Sequence, residues 1–131
     1  MINRRTVIAS GLVAAALAFG TAHAAPVATP FTQAAFEAAQ KSGKPILVEI
    51  HADWCPTCKA QQPIISQLRD EPKFKDLVVF RVDFDGQKDV VKQFNARSQS
   101  TLIVFRGAAE AGRSVGDTNK VTITALLGKT V

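Results

Sequence analysis

The segment Trp54-Cys55-Pro56-Thr57-Cys58 constrains this chain more than any other. It holds the only two cysteines among 131 residues, with two positions between them. Ahead of it, Ile46-Leu47-Val48-Glu49-Ile50 is a nearly continuous apolar run with β-branched residues, the pattern of a central strand covered on both faces. Behind it, residues 59–69 read as a helix with Ile64, Ile65 and Leu68 as its buried stripe. A helix N-terminus carries unpaired N–H groups and the positive end of the dipole, so it favours negative charge on a sulfur placed there. The thiolate is the attacking form of a thiol, and this position makes one cysteine a nucleophile near neutral pH. Pro56 at the first helical position loses no hydrogen bond and preorganises the turn. Pro63 falls inside the helix and is expected to kink it, because it has no N–H to donate.

The first two dozen residues read as an export signal. Arg4 and Arg5 form a charged start, residues 7–19 are apolar, and Ala22-His23-Ala24 matches a small-x-small cleavage site. Cleavage is expected after Ala24, giving a signal peptide over 1–24, a short leader over 25–30 and one domain over 31–131. An uncleaved anchor is the alternative reading, and the paired arginines also admit the twin-arginine route. Removing 24 of the 131 residues leaves 107, a normal size for one compact domain. The signal region holds two arginines and no acid, so the formal charge falls from +5 to +3. The remaining cations are interleaved with acids and form no basic stripe, so no nucleic-acid partner is expected. Export points to a periplasmic protein in an oxidising compartment. A disulfide across two intervening residues closes a tiny loop and removes little chain entropy, which favours redox chemistry over a structural staple.

The rest of the chain alternates. Residues 31–41 show helical spacing at Phe31, Ala34, Ala35, Ala38 and Ala39, ended by Ser42-Gly43-Lys44-Pro45. The leader is expected to be mobile or a small edge strand. Residues 77–84 read as a second central strand, 85–94 as a modest helix with Val90, Val91 and Phe94 inward, and 101–105 as a third strand. Arg106-Gly107 and Glu110-Ala111-Gly112 punctuate a hairpin into Arg113-Ser114-Val115. Asp117 or Thr118 is expected to cap a last helix that buries Val121, Ile123, Leu126 and Leu127. The fold class is α/β, a central mixed sheet with helices on both faces. Strands joined through a helix are expected to be parallel, with the cysteines at the carboxyl end of a central strand.

This order, and the stretch Lys44-Pro45-Ile46-Leu47-Val48-Glu49-Ile50-His51-Ala52-Asp53-Trp54-Cys55-Pro56-Thr57-Cys58-Lys59, resemble the thioredoxin superfamily across nearly the whole mature chain. Pro63, Gly107 and Gly116 fall at further positions of that pattern. The Gly-Lys-Pro and Ala-Asp-Trp-Cys wording is closer to exported members such as the thioredoxin-like domain of DsbD. The resemblance implies a thiol–disulfide oxidoreductase in which Cys55 attacks, Cys58 resolves, and the Cys55–Cys58 disulfide is the redox group with no further cofactor. On physical grounds too, Cys55 is expected to be exposed at the helix start, and Cys58 more buried and less ionised. The resemblance makes Glu49 the buried acid beneath the site, with a pKa raised by burial, exchanging a proton with Cys58. The other reading of Glu49 is a strand residue that reaches solvent or pairs with Arg81 on the neighbouring strand. Trp54 is expected to pack over the site, and the Thr57 hydroxyl and N–H to donate to the thiolate. His51 either biases Cys55 electrostatically or is a surface residue.

One departure stands out. The family carries a cis-proline before the strand facing the cysteines, and here Ser100 holds that position. A cis bond before a non-proline residue costs roughly 2.5–4 kcal/mol, so Gln99–Ser100 is expected to be trans or locally rearranged. By resemblance, Gln99, Ser100 and Thr101 form the segment that binds a substrate peptide as an added strand would. The resemblance also implies that the proline keeps metal ions off the cysteines, which leaves a metal- or cluster-binding protein using Cys55 and Cys58, with His51 as a third ligand, as the alternative function. The chain has no room for the helical insertion of DsbA-like oxidases, so a reductant of protein disulfides is expected. It would be a monomer drawing electrons from a membrane thiol carrier of the DsbD or CcdA type.

Overall fold

The computed structural model describes residues 28–131. The signal-peptide reading over 1–24 and the leader residues 25–27 lie outside the described residues. A five-stranded sheet in the order β1-β3-β2-β4-β5 forms the centre. The strands are β1 (Thr29–Pro30), β2 (Pro45–His51), β3 (Val78–Asp83), β4 (Thr101–Arg106) and β5 (Ala109–Val115). Helices α1 (Gln33–Lys41), α2 (Pro56–Arg69) and α3 (Lys88–Gln93) join successive strands up to β4, a short 3-10 turn lies at Pro72–Phe74, and α4 (Lys120–Gly128) follows β5.

Period-two alternation along β2 sorts its side chains between two cores. Ile46, Val48 and Ile50 join Phe36 of α1 and Val91 of α3 on one face. Leu47 joins Ile65 and Leu68 of α2 and Ile123, Leu126 and Leu127 of α4 on the other. The first core is aromatic. Phe36, absent from the stripe expected for α1, lies 5.2–5.9 Å from the ring centroids of Phe31, Phe80, Phe94 and Phe105, mostly edge-on. Each such pair adds about 0.5–1.5 kcal/mol to simple burial. Edge strand β1 lies within the leader and pairs with β3.

The structure corrects several sequence expectations. The β2–α2–β3 unit is parallel, as expected. The β3–α3–β4 connection is not: β4 runs antiparallel to β2, with Ile50 opposite Thr101. Helix α1 starts at Gln33 because Thr32 Oγ1 accepts the Ala35 N–H at 3.2 Å. Helix α2 starts at Pro56, one turn before Lys59. Glu110, Ala111 and Gly112 belong to β5, and the turn is confined to Gly107 and Ala108, with Gly107 at φ +56°. Asn119, not Asp117 or Thr118, caps α4, its side chain accepting from Val121 N–H at 2.8 Å. Asp117 instead accepts from the Asn119 N–H and the Thr122 hydroxyl, which orders the approach to the helix. Val121 stays exposed.

Candidate active site

Strand β2 ends at His51, and the chain turns through residues 52–55 into α2. Cys55 is the N-cap of α2: its Sγ accepts the Cys58 N–H at 3.1 Å. A sulfur thus occupies the place where serine, threonine or aspartate oxygens satisfy an orphan helix donor. Cys58 lies one turn in, on the stripe Cys58, Gln61, Ile65 and Leu68 that α2 turns inward. Both cysteines are thiols in this structure.

The expectation of an exposed Cys55 is corrected. Both cysteines are 1 % exposed, packed with Ala52 and Phe84. Cys55 nonetheless lies in the shallower place, with less protein around its sulfur than Cys58 has. Burial opposes ionisation of Cys55. Hydrogen bonds from the Cys58 thiol, the Ser100 hydroxyl and the Cys58 and Thr57 backbone overcome that opposition and hold the thiol below its usual value. Burial pushes Cys58 up, and its bond to Cys55 ties up its proton and pushes it further. The two thiols of one motif are therefore driven apart, as a nucleophile and its resolving partner require.

Ser100 faces the pair across the sheet. Its Oγ lies 3.3 Å from Cys55 Sγ and 3.6 Å from Cys58 Sγ. The Gln99–Ser100 bond is trans and Ser100 adopts φ +61°. The segment is held by the Ser100 N–H donating to Ile50 O at 2.8 Å and the Gly116 N–H donating to Ser100 O at 2.9 Å. Gly116 itself sits at φ +70°, where glycine is at ease. Gln61, buried at 2 %, donates its amide to Ser100 O at 3.2 Å and Asp117 O at 2.9 Å. Sequence reasoning missed Gln61, although its helical spacing from Cys58, Ile65 and Leu68 placed it on the inward stripe. Thr101 is buried, its hydroxyl donating to Ser98 O at 2.8 Å, and Gln99 is half-buried beside it.

Glu49 lies on β2 beneath this end of the sheet, 2 % exposed. Burial raises its pKa, and Arg81, Gln62 and Arg69 only partly offset that. Arg81, its register partner on β3, donates Nε and Nη2 to Glu49 Oε2, each at 3.2 Å, and Nη2 also to Gln62 Oε1. Glu49 Oε1 has no hydrogen-bond partner. The arrangement thus contains the Arg81 ion pair and an acid with a free buried oxygen at once.

Trp54 precedes the first cysteine in the turn between β2 and α2. It is 58 % exposed, and its indole N–H donates to Asp85 Oδ2 at 2.7 Å. Pro56 is exposed and Thr57 half-buried at the first turn of α2. His51 is not a surface residue: it is 8 % exposed, and Nε2 lies 3.0 Å from Asp53 Oδ1. It lines a cavity of about 300 Å³ with Ala28, Pro30, Asp53, Arg81, Asp83 and Gln87, a space that neither cysteine borders. Among the described residues no group of three or more His, Cys, Asp or Glu side chains is placed to hold a metal ion, so His51 does not join the cysteines as a third ligand.

A thiol pair whose first sulfur caps a helix at the carboxyl end of a central strand defines a class of redox site, and the comparisons with known proteins give the same class. The sequence model of the thioredoxin family matches residues 27–129. Thioredoxin from Mycobacterium bovis is 32% identical over 90 residues, covering 69% of this chain and 77% of that protein. A bifunctional thioredoxin reductase/thioredoxin from Mycobacterium leprae is 32% identical over 82 residues, 63% of this chain but only 18% of that larger protein. The crystal structure of Trxlp from Edwardsiella tarda EIB202 is 45% identical with a TM-score of 0.73, covering 75% of this chain and 95% of that one. The chain belongs to the thioredoxin family. It is a thiol–disulfide oxidoreductase with the thioredoxin-like α/β fold.

Proposed function

We propose that this protein is exported to the periplasm and reduces protein disulfides there, with Cys55 as attacking thiol and Cys58 as resolving thiol. The single observation that carries the role assignment is the Cys55 sulfur capping α2, its pKa driven down while that of Cys58 is driven up. The Cys55 thiolate attacks one sulfur of a substrate disulfide. The substrate S–S bond breaks, its other sulfur leaves with the electron pair and takes a proton, and a mixed disulfide forms. Cys58 then loses its proton and attacks Cys55 Sγ. The bond between Cys55 and substrate breaks, the second substrate sulfur leaves as a thiolate, and Cys55–Cys58 is oxidised. Glu49, with its raised pKa and free Oε1, takes the Cys58 proton. Gln99, half-buried beside the buried Ser100 and Thr101, is the member of that segment nearest to solvent and is where the substrate peptide is laid.

Export rests on Arg4, Arg5, the apolar stretch over 7–19 and Ala22-His23-Ala24. In that compartment the oxidised pair needs a source of electrons. The Mycobacterium leprae relative is named as joined to its reductase; here a membrane thiol carrier of the DsbD or CcdA type fills that place. Insulin reduction with dithiothreitol as donor tests the chemistry: wild type accelerates precipitation and Cys55→Ser does not. Activity retained by Cys55→Ser refutes the assignment. A reduction potential close to that of DsbA, about −120 mV, instead of nearer thioredoxin at about −270 mV, refutes the reductant direction. A periplasmic product whose mass begins elsewhere than Ala25 refutes the cleavage site.

A further inference from the structure

The hydroxyl of Ser100 has two partners among the described residues, and both are sulfurs, Cys55 Sγ at 3.3 Å and Cys58 Sγ at 3.6 Å. It is buried at 4 %, so water does not compete freely for it. Its backbone is held at φ +61°, a conformation uncommon for a residue with a side chain. Non-glycine residues in that region persist where surrounding bonds over-determine them, and they concentrate at functional sites. Here four bonds do so: Ser100 N–H to Ile50 O, Gly116 N–H to Ser100 O, and the two amide bonds of Gln61 that tie Ser100 O to Asp117 O. The consequence of this conformation is that a side-chain oxygen stands between the two thiols.

We propose that Ser100 is a catalytic residue whose single O–H serves both sulfurs in turn. This rests on the thiol chemistry proposed above and adds a group to it. In the reduced protein the O–H donates to the Cys55 thiolate while the oxygen accepts the Cys58 S–H. Once Cys55 is bound to substrate sulfur it is neutral. When Cys58 then loses its proton, to Glu49 in the mechanism above, the charge sits on Cys58 and the O–H rotates to it. The Cys55–Cys58 bond forms, the Cys55–substrate bond breaks, the electron pair leaves with the substrate thiolate, and the serine hydroxyl is unchanged. Hydroxyl rotation needs no backbone motion, which suits a residue so tightly held. Hydrogen bonds to an ionised acceptor are about twice as strong as neutral ones, so the O–H favours the reduced, thiolate-bearing state over the disulfide.

Ser100→Gly tests this, because glycine accepts the positive φ and removes only the hydroxymethyl group. Two readouts are compared with wild type: the pH profile of Cys55 alkylation by iodoacetamide, resolved by mass spectrometry, and the equilibrium with glutathione redox buffers. Loss of one charge-assisted bond is expected to slow Cys55 alkylation about tenfold below the midpoint, moving the profile up by about one pH unit. The same loss is expected to shift the glutathione equilibrium about tenfold toward the disulfide, about 30 mV more negative for this two-electron couple. Ser100→Ala is expected to move both readouts the same way, and thermal unfolding reports whether either variant is folded. If either readout of folded Ser100→Gly stays within twofold of wild type, the proposal is overturned. Neither measurement needs a protein substrate. A wild type that fails to reduce insulin therefore defeats the function proposed above while these two readouts still decide the role of Ser100.

Discussion

Gln61→Leu tests whether the active-site loop is held by side-chain hydrogen bonds or by strand pairing alone. Gln61 is 2 % exposed and sits on the inward stripe of α2. Its amide nitrogen makes two bonds to main-chain carbonyls, to Ser100 O at 3.2 Å and Asp117 O at 2.9 Å. Leucine keeps the volume and the helix propensity and removes both donors. The Ser100 carbonyl still accepts from Gly116, so its loss is the smaller, on the order of 0.5–1 kcal/mol. The Asp117 carbonyl, in a half-buried residue, loses its Gln61 donor, which costs about 1–2 kcal/mol after partial rehydration. The total is about 2 kcal/mol. For a domain of this size that lowers Tm by about 8–16 °C. Urea unfolding of the reduced protein measures it directly. Gln67→Leu is the control, since Gln67 lies on the same helix but is exposed and a change there is expected to stay within about 0.5 kcal/mol. If Gln61→Leu is no more destabilising than Gln67→Leu, the bracing of the Ser100 segment by Gln61 is refuted.

Three further outcomes follow from the geometry. Glu49 has a folded pKa raised above 4.5, so the folded state holds its proton more tightly, and wild type loses stability as pH climbs from 4.5 to the raised value. Glu49→Gln, which keeps an oxygen for Arg81, should gain on wild type by about 1.36 kcal/mol per pH unit in that window and stay level below it; a difference independent of pH in denaturant titrations counts against burial as the cause. The Cys55 pKa is lowered from 9.0, so the reduced protein should gain stability as pH rises from that lowered value toward 9.0, a slope that Cys55→Ala should abolish. Phe36→Ala removes a ring 4 % exposed and surrounded by four others, with an expected loss of about 3–5 kcal/mol; a loss below about 1 kcal/mol by urea unfolding means the aromatic core repacks.

Much of the fold is legible in the chain because hydrophobic runs report burial directly. Residues 46–50, 77–84 and 101–105 each mark a buried strand to within a residue at either end, and the cysteines lie where the first meets its helix. The direction of β4 was not legible, because an apolar run reads the same forwards and backwards. The capping of α4 was missed because Asp117, Thr118 and Asn119 are all competent, and tertiary context chose among them. The exposure of Cys55 is not legible because helix position says where the sulfur lies in the chain, whereas the cover comes from Ser100, just ahead of β4, and from Phe84. The side-chain conformation of Ser100 depends on φ +61°, which its sequence neighbours do not encode. Gln61 was within reach: a polar residue three after Cys58 and four before Ile65 is a buried group that must find partners.

The direction of β4 decides whether there is a two-sided site at all. Strand β3 holds six residues, about 20 Å of chain at about 3.3 Å each. A parallel return would have to recover that length before β4 began, and Ser100 would then lie near Pro45, at the far end of β2 from the cysteines. The chain instead re-enters the sheet at the end where β3 left it, and Ser100 N–H meets Ile50 O while Thr101 pairs with Ile50. The residue that opens β4 therefore faces the residues that close β2. A thiol pair carried by one strand-to-helix turn obtains its second wall from a segment more than forty positions away, and the antiparallel entry of β4 beside β2 is what places the Ser100 hydroxyl against both sulfurs.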